Sequence, residues 1–206
     1  MTAQRSVGIV LFEGFELLDV FGPVELLSVL PEEYRIVYLA DEPGPVRSSQ
    51  GAEVVATESL AAGRTPDIVL IPGGAGTRLL VDDEVFLDRF ATWASPSPII
   101  TSVCTGSAVL AAAGLLEGYR ATSNKRAFTW AATHGDDVEW VPHARWVEDR
   151  DRWTSSGVAA GMDMTAALIA HLSGQPAARD AARIIELEVH DDPRWDPFAE
   201  HYGLGR

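Results

Sequence analysis

The chain has 206 residues, of which 47% are hydrophobic and 22% are charged, as is typical of a globular protein. Acidic residues outnumber basic residues by 30 to 16, and the net charge of −14 argues against nucleic acid and anionic membranes as partners. The single cysteine excludes an internal disulfide, and no apolar run reaches the roughly 20 residues that a membrane-spanning helix needs. We therefore expect one domain over residues 1–206, located in the reducing cytoplasm.

The first half of the chain alternates short apolar runs, typical of buried strands, with amphipathic segments, typical of helices. In chain order the predicted elements are a strand at Val7–Phe12, a helix with Pro23 in its first turn that continues to Leu30, strands at Tyr34–Ala40, Ala52–Thr57 and Asp67–Ile71, and a helix at Asp83–Ala94. The segment between the second and third strands is rich in glycine and proline and is predicted to be a turn.

The second half continues this alternation. In chain order the predicted elements are a strand from Ile99 that stops at Cys104, a helix that ends near Gly114, a brief strand at Arg120–Thr122, a helix at Lys125–Thr133, an antiparallel hairpin of Ala144–Glu148 and Arg152–Ser155, and helices at Val158–Leu172 and Ala177–Val189. Residues 190–206 are predicted to form an irregular acidic tail. Its aromatic residues either cover the mouth of a site or a dimer interface, or pack back on their own domain.

Strands that alternate with helices predict an α/β fold with a mainly parallel sheet. In such folds, ligands bind outside the carboxyl ends of the strands. Three chemically suggestive segments fall at these ends: the loop that carries Asp19, the pair Gly73-Gly74, and Cys104. Their convergence on one sheet edge predicts a functional site.

Cys104 is the candidate nucleophile of this site. It lies between an apolar β-type run and an Ala/Leu-rich helix, on the sharp turn that joins them. At a helix N-terminus the dipole and the backbone N–H groups favour the thiolate and can stabilise an anion formed beside the sulfur. The alternative is that this cysteine is simply a small buried hydrophobic residue.

Two neighbouring segments are predicted to help bind the substrate. The backbone N–H of Thr105 is a natural anion donor, while its side chain either contacts the substrate or caps the helix. Gly73 and Gly74 follow a strand, where glycine lets the backbone approach a ligand closely. The alternative for this pair is an ordinary tight turn.

Asp19 is the candidate general acid. Its carboxyl group lies in an apolar run, and burial raises the pKa of a carboxyl group towards neutrality, where it can donate a proton. Glu16, which lies in a more polar stretch, is the competing candidate for the general acid. The alternative role for Asp19 is to cap a helix ahead of Pro23. The five histidines fall away from the predicted strand ends, and no group of residues has metal-site spacing, so we expect no metal.

The order of five motifs resembles the ThiJ/PfpI superfamily, and within it the isonitrile (isocyanide) hydratase branch. The motifs are DxxGPxE (Asp19–Glu25), IPGGxG (Ile71–Gly76), SVCTGSxxLAxAGLL (Ser102–Leu116), RAT (Arg120–Thr122) and TSSGVxAGMD (Thr154–Asp163). The resemblance covers nearly the whole chain. It implies a flavodoxin-like three-layer sandwich with a strand–cysteine–helix nucleophile elbow, usually assembled as a homodimer.

The resemblance also implies roles for individual residues. Cys104 matches the family nucleophile, Asp19 the acid that contacts it, Thr105 the adjacent substrate-contacting residue, and Gly74 the loop that completes the anion pocket. Hydratases of this branch convert an isonitrile to an N-substituted formamide and need no metal or cofactor. Many relatives have a histidine after the segment that matches Arg120–Thr122, but Asn124 and Lys125 follow here, so this position offers no Cys–His dyad.

We therefore expect a hydratase that adds water to a small electrophile, with an isonitrile as the first candidate. One alternative is a glyoxalase- or hydrolase-type enzyme that acts on 2-oxoaldehydes through the same cysteine. Another is a non-enzymatic redox or stress-response protein in which Cys104 oxidises to a sulfinic acid. A DNA-binding regulator is not expected, because no segment remains for a helix-turn-helix and the charge is unfavourable for DNA.

Overall fold

The computed structural model describes residues 4–61 and 64–204, so Gly205 and Arg206 of the predicted tail lie outside the described residues. Its centre is a seven-stranded sheet. The strands of the chain are β1 (Arg5–Val10), β2 (Tyr34–Ala40), β3 (Gly44–Arg47), β4 (Glu53–Ala56), β5 (Glu58–Ser59), β6 (Ile68–Ile71), β7 (Ile99–Ser102), β8 (Arg120–Ala121), β9 (Glu139–Trp140), β10 (Trp146–Asp149) and β11 (Arg152–Ser155). The main sheet has the order β10-β11-β7-β6-β1-β2-β5, and only its β10–β11 pair is antiparallel.

Two groups of helices flank this sheet. The helices are α1 (Leu17–Ser28), α2 (Thr77–Leu80), α3 (Glu84–Ala94), α4 (Gly106–Ala112), α5 (Phe128–Ala131), α6 (Ala160–Ser173), α7 (Gln175–Ile184) and α8 (Phe198–His201). Helices α1, α6 and α7 pack together, and α4 packs against α2 and α3. The predicted α/β fold with a mainly parallel sheet is confirmed. Strands β6 and β11 are buried along their whole length, as expected for strands covered by helices.

The strand order places the candidate site at a point where the topology reverses. From β1 the chain runs to β2 on one side, and later to β6 and β7 on the other side. The crevice outside the carboxyl ends at such a switch point is where ligands bind in open α/β sheets. The segments that follow β1, β6 and β7 therefore meet at one edge.

The prediction that Pro23 lies in the first turn of a helix is wrong. Helix α1 begins at Leu17, and Pro23 is inside it. The ring removes only the hydrogen bond to the carbonyl of Asp19, while buried residues such as Val20 and Leu26 hold the helix against the core. Asp19 consequently lies in the first turn of α1 and not in a loop.

Several short elements depart from the predicted pattern. The glycine- and proline-rich stretch contains β3, which pairs with β4 in a separate antiparallel hairpin where Pro45 is tolerated because only two strands pair. Strand β8 pairs with the unpredicted β9, and the predicted helix from Lys125 divides into a 3-10 turn at Lys125–Ala127 and the short α5.

The last long helix was predicted to reach Val189, but α7 ends at Ile184. Glu186 has a left-handed backbone, with φ at 55°, a conformation that glycine usually adopts. The N–H of Glu186 donates to the carbonyl of Arg183, and that of Leu187 donates to the carbonyl of Ala182. This is a Schellman-type helix end, which the sequence conceals because glycine usually occupies the left-handed position.

The acidic tail packs on its own chain through its backbone and one buried carboxylate. The N–H of Arg145 donates to the carbonyl of Pro193, and Asp196 is buried. Burial lowers the pKa of Lys125 to about 8, and the charge of Asp196 opposes this shift. The tail is not wholly irregular, because it contains α8. Its aromatic side chains Trp195 and Phe198 remain exposed.

Among the described residues, no helix combines the length and the hydropathy that crossing a bilayer would require.

A buried ion pair joins the tail to the core. Both the Nε and an Nη atom of Arg145 lie 2.6 Å from Oδ2 of Asp163, and the N–H of His190 donates to Oδ1 of the same carboxylate. We predict that Asp163→Asn lowers the free energy of unfolding by about 3 kcal/mol or more, because it leaves a buried guanidinium without its counter-charge. Urea denaturation measures this loss.

The matched control is Asp180→Asn, which breaks the exposed pair between Asp180 and Arg183 on α7. Its expected cost is below about 1 kcal/mol, because solvent screens exposed pairs. Equal effects of the two variants would contradict the assigned importance of the buried pair.

Candidate active site

Cys104 follows β7 after one residue, Val103, and has a left-handed backbone, with φ at 60°. For a residue other than glycine this conformation costs on the order of 1–3 kcal/mol and persists only where its surroundings impose it. Its N–H points to the carbonyls of Ser155 and Ser156, at 3.2 and 3.1 Å. Its carbonyl accepts hydrogen bonds from the hydroxyls of Ser107 and Ser123, at 3.1 and 3.0 Å. Strand–cysteine–helix geometry of this kind is a nucleophile elbow.

Gly106 makes the elbow tight. A Cβ at this position would lie 2.4 Å from the carbonyl oxygen of Ile71 and 2.8 Å from that of Pro72. Since no larger residue fits, the glycine lets α4 start against the end of β6. The thiol is thereby brought next to the segment that follows β6.

Asp19 lies beside this thiol and is fully buried. Its Oδ2 accepts a hydrogen bond from the N–H of Gly73 at 2.9 Å, whereas its Oδ1 is buried without a donor in hydrogen-bond geometry. Burial raises the pKa of Asp19 to about 7, against the Gly73 hydrogen bond, which lowers it. The charge of Glu16 raises this pKa further, and the Cys104 thiol lowers it. A carboxyl group with such a pKa can both give and take a proton near neutral pH.

The thiol itself is also nearly buried, with 6% of Cys104 exposed. Burial raises the pKa of the Cys104 thiol, and the negative charge of Asp19 raises it further. The N–H groups of Thr105 and Val158 and the side chain of Asn124 lower it. The expected donors at the helix start are therefore present, but burial opposes the thiolate more strongly than the sequence suggested.

The Thr105 side chain does not cap α4, because it makes no capping hydrogen bond. Its Oγ1 accepts a hydrogen bond from the N–H of Gly74 at 3.1 Å and lies 3.1 Å from the hydroxyl of Thr77. The side chain thus ties the glycine loop to α2. The backbone N–H, in contrast, is directed at the Cys104 sulfur.

The two loop glycines shape the site without offering their own donors to a ligand. The N–H of Gly73 is bonded to Asp19 and that of Gly74 to Thr105. A Cβ on Gly73 would lie 2.6 Å from the Thr105 nitrogen and 2.9 Å from Oδ2 of Asp19. Gly74 has φ at 129°, and a Cβ there would lie 2.3 Å from the carbonyl oxygen of Gly14. Gly73 and Gly74 therefore position the acid and Thr105, and their contact with the substrate stays a prediction.

Glu16 is not the carboxylate at the thiol. It lies just before α1, where its backbone N–H donates to the carbonyl of Gly73 and its Oε1 accepts a hydrogen bond from Gln50 at 2.6 Å. Its side chain is partly exposed, whereas that of Asp19 is buried. The structure therefore brings Cys104, Asp19, Thr105 and the glycine pair together and leaves Glu16 at the margin.

Asn124 stands where many relatives have histidine, and the sequence pattern predicted no role for it at the site. Its Oδ1 accepts a hydrogen bond from the N–H of Ala127, which leaves the amide N–H₂ group for the Cys104 sulfur. Gly157 leaves space for it, since a Cβ there would lie 2.2 Å from Nδ2 of Asn124. The N–H of Val158, which follows Gly157, is the other donor to the sulfur that the sequence did not reveal.

The described residues contain no cluster of three histidine, cysteine or carboxylate side chains placed to hold a metal ion.

Residues 5–171, which contain every residue of this site, match the model of the DJ-1/PfpI family. The chain belongs to the DJ-1/PfpI family. The resemblance inferred from the motifs is thereby confirmed.

Individual relatives support this membership over most of the chain. The DJ-1/PfpI chain is 34% identical over 189 residues to an isonitrile hydratase of Pseudomonas putida, covering 91% of this chain and 79% of the hydratase. A crystal structure of a ThiJ/PfpI family protein from Pseudomonas syringae superposes with a TM-score of 0.83 at 32% identity, covering 91% of this chain and 76% of that one.

The transcriptional regulator GbdR of Pseudomonas aeruginosa is 29% identical over 193 residues, which cover 91% of this chain and 51% of the regulator. The DJ-1/PfpI chain is therefore similar to about half of that regulator.

The raised pKa of Asp19 predicts how the stability of this DJ-1/PfpI chain depends on pH. Between the ordinary value of 3.8 and about 7, the folded protein keeps a proton that the unfolded chain has released. The free energy of unfolding should therefore fall as pH rises through this range, by up to about 1.4 kcal/mol per pH unit from this group. Asp19→Asn should lack this contribution, and urea denaturation from pH 4 to 8 compares the two.

Glu16→Gln serves as the control, because it retains Asp19. Removal of the Glu16 charge lowers the pKa of Asp19, so this variant should keep the slope over a narrower range. Identical pH dependence in wild type and Asp19→Asn would show that Asp19 titrates normally.

The amide of Asn124 is predicted to favour the thiolate. Asn124→Ala should raise the pKa of the Cys104 thiol, because it removes a donor to the sulfur. Asn124→Asp should raise it more, because it replaces this donor with a negative charge. The pH midpoint of alkylation by iodoacetamide, which reacts with the thiolate, measures both shifts. An unchanged midpoint in both variants would exclude the contact.

Proposed function

We propose that the chain catalyses the addition of water to an isonitrile, giving an N-substituted formamide, with Cys104 as nucleophile and Asp19 as general acid and base. The observation that carries the proposal is the buried contact between the only thiol and a carboxyl group whose pKa is about 7. The similarity to an isonitrile hydratase supports this choice of substrate class.

The first step is addition of sulfur to the terminal isonitrile carbon. The Cys104 proton passes to the Asp19 carboxylate, and the resulting thiolate forms the carbon–sulfur bond. Negative charge develops on that carbon, and the Asp19 carboxyl group protonates it. The product of this step is a thioimidate on Cys104, with Asp19 again ionised.

The second step is hydrolysis of the thioimidate. The Asp19 carboxylate takes a proton from water, whose oxygen adds to the same carbon, and the proton is delivered to the substrate nitrogen. The tetrahedral adduct then collapses: its hydroxyl proton goes to Asp19, the carbon–oxygen double bond forms, and the carbon–sulfur bond breaks. The formamide leaves, and return of the proton from Asp19 to the Cys104 thiolate restores the starting thiol and carboxylate.

The groups around the sulfur support these steps electrostatically. The N–H groups of Thr105 and Val158 and the amide of Asn124 stabilise the thiolate when it forms and again when it leaves. Gly73 fixes the orientation of the acid through its hydrogen bond to Oδ2. The reaction as written uses only these residues and water.

The proposal includes assembly as a homodimer in the cytoplasm. Leu18 and Phe21 of α1, the helix that carries Asp19, are 40% and 38% exposed, and an apolar surface of this kind is suited to a partner subunit.

The test is formamide production from an aliphatic and an aromatic isonitrile, followed by chromatography. Cys104→Ala should abolish turnover, because no other thiol can replace it. Asp19→Asn should lower kcat on the order of 10²–10⁴-fold, the usual contribution of a general acid or base. Glu16→Gln, which changes a nearby carboxylate outside the proposed chemistry, should retain activity within a few fold.

Absence of formamide with every isonitrile would remove the proposed reaction. Lactate formation from methylglyoxal would then favour the glyoxalase-type alternative. Mass-spectrometric detection of a Cys104 sulfinic acid after mild peroxide, without turnover of any electrophile, would favour the redox alternative.

A further inference from the structure

Arg78 and Trp130 form a pair next to the proposed site. Arg78 follows Thr77, the residue of α2 whose hydroxyl contacts Thr105. Trp130 lies in α5, the helix after Asn124. The guanidinium carbon of Arg78 is 3.2 Å from the centroid of the Trp130 ring, so the side chain is stacked on the indole. The pair thus links α2, which contacts Thr105, to α5, which follows Asn124. Thr105 and Asn124 are both neighbours of the sulfur.

Within residues 4–61 and 64–204, no carboxylate lies within ion-pair distance of Arg78, in contrast to Arg145, Arg152 and Arg183. The indole contact restrains the plane of the guanidinium group, and none of the residues that the structure describes accepts a hydrogen bond from its N–H groups. A fixed, unpaired guanidinium presents the fork of donors that a carboxylate binds with two parallel hydrogen bonds.

Arg78 lies within electrostatic range of the thiol. Partial burial lowers the pKa of Arg78, and the charge of a Cys104 thiolate raises it. Asp82 is the neighbouring carboxylate. Burial lowers the pKa of His134, the charge of Asp82 opposes this shift, and the charge of Arg78 adds to it. Because the whole chain carries a net charge of −14, a cation beside the site offsets the repulsion that the chain exerts on an anion.

We propose that Arg78, held on Trp130, binds a carboxylate group of the substrate, so that the substrate class is a small isonitrile or related electrophile that carries a carboxylate. This assignment of substrate class rests on the proposed function. The anion-binding role of Arg78 beside Cys104 can be tested without any turnover.

The test compares alkylation of Cys104 by iodoacetate and by iodoacetamide. In both reactions the thiolate sulfur attacks the methylene carbon and iodide leaves, but only iodoacetate carries a carboxylate. The ratio of the two rates is therefore independent of the fraction of thiolate. We expect Arg78→Gln to lower the iodoacetate-to-iodoacetamide ratio about 5- to 10-fold, the size expected for loss of one partly solvated ion pair and its hydrogen bonds.

Arg183→Gln is the matched control, because Arg183 is an exposed arginine that already pairs with Asp180 on α7. It should leave the ratio unchanged. Trp130→Ala should lower the ratio by an intermediate amount, since Arg78 remains but loses its support. Thermal unfolding of each variant establishes that these surface changes leave the fold intact.

Three results would overturn the proposal. Unchanged rates with both reagents in Arg78→Gln would show that the guanidinium does not attract the carboxylate. Equal slowing with both reagents would assign Arg78 to thiolate stabilisation alone. No alkylation by either reagent at pH 9 would show that molecules of this size do not reach the sulfur.

Turnover separates this inference from the proposed function. If the chain hydrates isonitriles, isocyanoacetate should have a lower KM than its methyl ester, and Arg78→Gln should remove this preference with little effect on the ester. A wild-type enzyme that hydrates both compounds with equal KM would retain the proposed function and refute the carboxylate preference. A lowered alkylation ratio in Arg78→Gln, without hydration of any isonitrile, would support carboxylate binding by Arg78 and refute the proposed function.

Discussion

The site depends on one constraint, the left-handed backbone of Cys104. This conformation is unfavourable for a residue with a side chain, and the structure maintains it from two directions. Carbonyls at the end of β11 hold its N–H, and the hydroxyls of Ser107 and Ser123 hold its carbonyl. Because these groups come from β11, α4 and the segment after β8, the sulfur is oriented only when all three are in place.

Burial then determines the chemistry of the elbow. Both Cys104 and Asp19 lose solvation of their charged forms, so burial raises the pKa of each, and the charge of one opposes ionisation of the other. A pair of this kind titrates as a unit and favours holding one proton over holding none. Backbone N–H groups and the Asn124 amide offset part of the free-energy cost of ionising the buried thiol. The same burial that weakens the resting thiolate makes the carboxyl group a proton donor near neutral pH.

Much of the fold could be predicted from local patterns. The central strands and α3 were predicted because their apolar periodicity is strong, and β2 has the predicted bounds. The start of α1 was missed because Pro23 was assigned to a first turn, although tertiary packing tolerates it inside the helix. The end of α7 was missed because Glu186 adopts a conformation usual for glycine. In the first error, packing against the core outweighed a local preference, and in the second the residue type concealed a local helix end.

The sequence by itself determined the chemical candidates: one thiol at a strand-to-helix junction, one carboxyl group in an apolar run, and a glycine loop after a buried strand. Each is a local pattern that can be read within about ten residues. Only the tertiary structure decided which donors face the sulfur, that the loop glycines serve Asp19 and Thr105, and that Arg78 stacks on Trp130. The physical reason is that these contacts join segments far apart in the chain, and strand order and register decide which of them meet.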